Sequence, residues 1–262
     1  MRKALLLGTS RLHRPFARSV DRQVQVNKVE GLEPVFARSG YFHTAAESLQ
    51  VIRHAKYPEL LPRDLRSRAY RIEPRATTPL NEFDARFENA IRTNAAARPP
   101  FSPEDVDALI VEVSSLTVNT HVPTGHVLHT NPNFDRNVPY SDLYPEGYYA
   151  KFDPDVLVAR SETTLQELTS QLHAIRAELP RATVLILGHL RSKNHPNAGR
   201  DRIHSLLQEA STNAGCEYVD TAPFLDEYGF AENDGVRDPH HLTLAGEIAF
   251  GRYLQARVLE KS

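Results

Sequence analysis

Tryptophan is absent, methionine occurs once, and a single cysteine, Cys216, stands in 262 residues. One cysteine excludes an intramolecular disulfide and a thiolate metal cluster, and it suits a reducing compartment. Charge of one sign is lacking too: 31 Lys and Arg face 33 Asp and Glu, for a formal net charge of −2. No whole-chain field therefore favours nucleic acid or an anionic membrane, and neither is expected as a partner. The stretch Arg63, Arg66, Arg68, Arg71 and Arg75 is interleaved with acids and reads as a solvated face. No apolar run approaches bilayer-spanning length. Met1-Arg2-Lys3 followed by Ala-Leu-Leu-Leu opens like a signal peptide, but the run is short and soon meets Arg11, His13 and Arg14. The expected location is cytoplasmic. Glycine is sparse, and Gly8-Thr9-Ser10 lacks the glycine spacing of a dinucleotide loop, so no nucleotide cofactor, nor any other, is expected.

What is present alternates between strand and helix patterns. Residues 3–9 are a continuous apolar run stopping at Ser10, the pattern of a strand buried on both faces. Pro34-Val35-Phe36-Ala37 reads as a second strand ending near Gly40, and Thr44-Ala45-Ala46-Glu47 as a capping box opening a helix. Residues 107–113 form a third strand ending at Ser114-Ser115, residues 182–187 a fourth leading to Gly188-His189, and residues 217–219 a fifth running into Asp220. Between them, Ser161 is placed as N-cap of a helix carrying Leu165, Leu168, Leu172, Ile175 and Leu179, ended by Pro180. Ile203, Leu206, Leu207 and Ala210 mark another helix with Gly215 as its C-terminal cap, and Leu244, Ile248, Leu254 and Val258 mark the last.

This order predicts a single α/β domain over 1–262, a three-layer α/β/α sandwich of flavodoxin-like type with a five-stranded, mainly parallel sheet. Two inserts are expected over its rim. Residues 55–103 are rich in proline and charge and carry one helix at 80–97, and residues 117–160 read as a long loop dense in aromatics. His121, His126 and His129 lie in that loop and read as loop polarity rather than as metal ligands; no metal site is expected. Ligands of such sheets bind beyond the carboxyl ends of the strands, where Ser10, Gly40, Ser114, His189 and Asp220 would gather.

A serine hydroxyl becomes a nucleophile when a base lies within hydrogen-bond reach and a third group orients that base. Ser10 closes the first strand, and Asp238-Pro239-His240-His241-Leu242-Thr243 precedes the last helix, so the two can meet if the strands between lie side by side. Arg11 and His13, just past the serine, are candidates for a carboxylate or phosphate on the substrate, and His189 is a candidate substrate contact.

In these blocks the chain resembles the SGNH/GDSL hydrolase superfamily. Gly8-Thr9-Ser10 is similar to its first block, usually Gly-Asp-Ser, and Asp238-Pro-His-His241 to its last, Asp-x-x-His. The resemblance implies Ser10 as nucleophile, His241 as general base and Asp238 as its orienter, with the Ser10 amide and Gly40 holding the oxyanion. Two departures stand out. Thr9 replaces the usual aspartate, and Leu116 falls where the family has an oxyanion-hole asparagine. The Ser114 or Ser115 hydroxyl, a backbone amide, or Asn119 is a candidate to replace that donor. The implied activity is hydrolysis of a small acylated substrate, as an esterase or deacylase working through an acyl-enzyme. Acyl transfer on the same scaffold, or a non-catalytic binding protein with an SGNH-like fold, are the alternatives.

Overall fold

The structure is a computed structural model that describes residues 4–18, 42–57, 106–121, 125–128 and 158–260. The apolar runs become strands β1 (Ala4–Leu7), β2 (Ala108–Val113), β6 (Thr183–Gly188) and β7 (Glu217–Val219). They form one parallel sheet in the order β1-β2-β6-β7, with Leu7 opposite Val111 and Val111 opposite Ile186. Four of the five expected strands thus lie where the apolar runs put them; the remaining one, near residues 34–39, lies outside the described residues, as do Gly40 and the helix expected at 80–97.

Side-chain alternation along β2 splits the core into two layers. Leu109, Val111 and Val113 face one layer, packed by α2 (Ala45–Lys56), α3 (Leu165–Glu178) and α4 (Ala198–Ala214). Ala108 and Ile110 face the other, packed by α1 (Ser10–Arg18), α5 (Ala222–Tyr228) and α6 (Leu244–Glu260). The expected caps of α2 and α4 are present: Thr44 and Glu47 form the capping box, and Gly215 adopts φ 65°. Two expectations are corrected. Thr164, not Ser161, caps α3, because its hydroxyl accepts from the Glu167 amide while the Glu167 carboxylate reaches back to the Thr164 amide; Ser161 instead lies in a strand. Leu244 is 58% exposed, and the buried face of α6 is Phe250, Leu254 and Val258 with Gly246 and Glu247.

The region expected as one long loop carries regular structure at its ends. Strands β3 (Thr117–His121), β4 (His126–Leu128) and β5 (Val158–Glu162) form an antiparallel sheet in the order β4-β3-β5, with His121 opposite His126. The Gln50 side chain pins it to α2, its amide bonding both backbone groups of Val127 at 2.8 Å. A hairpin of β8 (Phe230–Asn233) and β9 (Val236–Leu242) precedes α6. Among the described residues no helix is long and apolar enough to cross a membrane.

Candidate active site

Ser10 is the first residue of α1, directly after the β1 end. Five hydrogen bonds fix that turn. The Thr9 amide and hydroxyl each donate to Glu112 Oε2 at 2.7 Å, the Thr9 carbonyl accepts from the Leu12 and His13 amides at 3.0 and 3.1 Å, and the Arg11 amide donates to Thr9 Oγ1 at 3.3 Å. Gly8 is needed here for space: a Cβ on it would meet the Glu112 Cβ at 2.7 Å. As the opening residue of a helix, Ser10 has no intrahelical acceptor for its amide, which lies at the positive end of the helix dipole.

Asp238 and His241 stand on β9, a strand rather than the short turn expected at the start of the last helix. The hairpin reverses through Asp234 (φ 51°) and Gly235 (φ 76°), the left-handed pair of a two-residue turn. Its far end is anchored by buried Leu242 and by Thr243, whose amide donates to the Gly229 carbonyl at 3.2 Å and whose hydroxyl donates to the Tyr228 carbonyl at 3.0 Å. On the opposite flank, buried Glu247 of α6 pairs with Arg14 and Arg18 of α1 at 2.9 and 2.6 Å, tying the serine's helix to the helix after the hairpin.

These anchors bring the two ends of the chain together. Ser10 Oγ lies 2.8 Å from His241 Nε2, and His241 Nδ1 lies 2.7 Å from Asp238 Oδ2. A carboxylate can only accept, so His241 Nδ1 carries the proton and Nε2 is left to accept from the serine hydroxyl. Asp238 is held in turn by the His240 amide at 2.9 Å and by Asn233 Nδ2, across the hairpin, at 3.3 Å. Burial pushes the Asp238 carboxyl up, but the bonds from His241 and the His240 amide outweigh it and bring the pKa below the ordinary carboxylate range.

The remaining expected residues divide. Arg11 and His13, read from the sequence as substrate contacts, are turned inward. Arg11 Nε pairs with Glu112 Oε1 at 2.5 Å, and the His13 ring bonds the Gly8 backbone, with burial holding its pKa below normal. Ser114 and Ser115 follow β2 on the rim, but both amides donate to the His43 carbonyl, at 2.8 and 2.9 Å, which removes those amides as oxyanion donors. Their hydroxyls remain beside the His43 ring (2.8 Å from Ser114 Oγ) and the Thr117 amide (3.0 Å from Ser115 Oγ). Leu116 is buried, and Asn119 lies within β3. His189 lies next to the strand that carries His241: its ring meets His240 edge-on with centroids 5.6 Å apart. Burial and the charges of Arg11 and Arg200 push its pKa down to about 2, so it is neutral. Asp220, the last rim residue, is engaged by Arg191 through two bonds of 3.0 and 2.8 Å.

Sequence reasoning missed Glu112, Asn233, Arg200 and His204. Glu112 had a signal: it is the one acid in an apolar strand, on the same alternation as Ala108 and Ile110. The hairpin also had one, Asp234-Gly235 between residues of strand character. His204 had none. It lies one helix turn from Arg200, bonding the Tyr218 hydroxyl through Nδ1 and the His189 carbonyl through Nε2, and so supports the loop after β6 from beneath. A Cβ on Gly188 would meet its ring at 2.9 Å.

Among the described residues no group of three or more His, Cys, Asp or Glu could hold a metal ion. No protein-family model matches the chain, and no curated protein matches it. Among solved structures, an alpha/beta hydrolase enzyme from the metagenome of Lake Arreo, Spain, is similar at 15% identity over 98% of this chain and 94% of its own, with a TM-score of 0.37. A likeness that low carries no argument about activity.

Proposed function

We propose that the chain is a serine hydrolase of the SGNH/GDSL type, an esterase or deacylase, built as one α/β domain with inserts at about 55–103 and 117–160. One observation carries the reading: the unbroken path of two hydrogen bonds from Ser10 Oγ through His241 to Asp238. In the proposed reaction Ser10 Oγ attacks the acyl carbonyl while its proton passes to His241 Nε2. The oxyanion forms against the Ser10 amide at the α1 N-terminus, where hydrogen bond and dipole act together. His241 then returns the proton to the departing alcohol, leaving Ser10 acylated. Water enters, gives a proton to His241 and splits the serine ester, releasing the acid and restoring the hydroxyl. Gly40 and the hydroxyls of Ser114 and Ser115 belong to the proposal as further oxyanion donors, and His189 as a substrate contact.

The test is the pH dependence of kcat/KM on an ester substrate. Asp238 is held below the ordinary carboxylate range, so it stays ionised through the neutral range and does not set the acid limb. A protonated His241 cannot accept the serine proton at Nε2. Activity is therefore expected to fall with unit slope toward acid, from one group. Asp238→Asn is expected to lower kcat/KM by about 10³–10⁴-fold, because the amide no longer fixes the proton on His241 Nδ1 and leaves Nε2 without its acceptor role. A profile flat from about pH 5 to 9 would contradict the role of His241.

A further inference from the structure

Helices α1 and α4 each carry an arginine in the first turn, Arg11 in α1 and Arg200 in α4. A cation there is opposed by the helix dipole. Arg11 is compensated by the pair with buried Glu112. Arg200 has no carboxylate partner among the described residues: its guanidinium is half-buried and donates to two carbonyl oxygens, Leu190 at 3.0 Å and Pro239 at 3.1 Å. Those carbonyls flank the site, Leu190 next to His189 and Pro239 next to His240. Arg200 therefore bridges the loop after β6 to the strand that carries His241. The charges within its reach are those of Arg11 and Arg237, and together with burial they push its pKa below the ordinary arginine value.

The nearby carboxylates have other partners. Glu112 is taken by Arg11 and Thr9, Asp220 by Arg191, and Asp238 by His241, the His240 amide and Asn233. Arg237 is exposed on the hairpin with its Cζ 4.1 Å from the Phe230 ring centroid, and it faces Glu232 in the strand register without an ion pair between them among the described residues. His189 is neutral, so the positive field on this side of Ser10 belongs to the arginines. A half-buried guanidinium that meets only carbonyl oxygens among the described residues is stabilised further by an anion, and a guanidinium presents the planar fork that suits carboxylate and phosphate.

We infer that Arg200, backed by Arg237, forms an anion subsite beside Ser10, and that the substrate is an acyl ester carrying a carboxylate or phosphate group. The inference rests on the serine hydrolase reading only for the word ester; the subsite itself does not need it.

The experiment has two arms. In the first, Ser10→Ala protein is titrated with succinate and with inorganic phosphate by calorimetry at low ionic strength. Saturable binding of at least one anion is expected. Arg200→Gln should weaken it about tenfold or more, Arg237→Gln less, and about 0.5 M salt should weaken it as well. Arg237 is exposed, so its variant tests the charge without disturbing the loop bonds that Arg200 makes. Failure of both anions to bind Ser10→Ala overturns the subsite. In the second arm, kcat/KM is compared for mono-4-nitrophenyl succinate against 4-nitrophenyl butyrate, and for 4-acetoxybenzoate against phenyl acetate. The charged member of one pair should be preferred by about tenfold or more, and Arg200→Gln should collapse that ratio. The pair that shows the preference tells whether the anion sits on the acyl or the alcohol side. Neutral preference in both pairs overturns the substrate class. Anion binding with no turnover of any ester would overturn the hydrolase reading and leave the subsite standing.

Discussion

Ser10→Ala is expected to lower kcat/KM for a competent ester by about 10⁴–10⁶-fold while leaving the fold intact. The size follows from the division of labour in the site. Without Oγ there is no acyl-enzyme, and what remains is substrate binding plus the donors aimed at the oxyanion. The fold is spared because the turn is held by Thr9, Glu112 and Gly8 and not by the serine hydroxyl. His241→Ala should cost about as much, and the double variant little more than either alone, since nucleophile and base act as a unit. Steady-state kinetics on the three proteins checks this. Losses that multiply would mean that the 2.8 Å contact between Ser10 and His241 is not used in the reaction.

Glu112→Gln is expected to produce the second large effect, on stability and turnover together. Burial alone pushes the Glu112 carboxyl up, but the Arg11 charge and the Thr9 and Arg11 donors outweigh it, so its pKa lies below the ordinary range. The carboxylate is the hub of the nucleophile turn, and Arg11 beside it is only 9% exposed. Removing one charge of such a pair strands the other, at a cost of about 3–5 kcal/mol. A urea titration reads the loss as a lower midpoint at unchanged slope. The folded variant, assayed below its midpoint, should also lose about tenfold to a hundredfold in kcat, because a shift of the Thr9–Ser10 turn by about an ångström spoils the attack geometry. The Arg11→Met/Glu112→Gln double variant should recover part of the stability, since it no longer leaves a lone buried cation. Additive losses in that cycle would show the pair to be uncoupled. The depressed pKa also sets a pH window: the stability from Glu112 is full above the ordinary carboxylate range and is lost as pH falls through the lowered value.

The sheet was legible because β1, β2 and β6 are compact apolar runs, buried almost throughout. Ala108–Val113 could belong nowhere else, and the rim order Ser10, Ser114, His189, Asp220 followed from it. The meeting of Ser10 with Asp238 and His241 was legible as a pairing of first strand and last helix, but its means was not. Asp238 reaches His241 along a strand whose register is set by the Asp234-Gly235 turn, and the tripeptide spacing alone looks the same for a helical turn. The small β4-β3-β5 sheet was hidden because Thr117-Val-Asn-Thr-His121 is polar at four of its five positions, so no apolar run announces it. Arg11 misled for the opposite reason. A basic residue next to a nucleophile suggests a substrate contact, and only the register of β1 on β2 brings its partner Glu112, about a hundred residues away in sequence, under it.

The central claim is that Ser10 is an activated nucleophile driven by His241, and covalent capture tests it most directly. The protein would be incubated with a small alkyl fluorophosphonate, its intact mass measured, and the modified residue located by peptide mapping. The expected result is one adduct per chain on Ser10, absent in Ser10→Ala and slowed by about a thousandfold or more in His241→Ala. An adduct on another residue, or equal rates of labelling of Ser10 with and without His241, would contradict it.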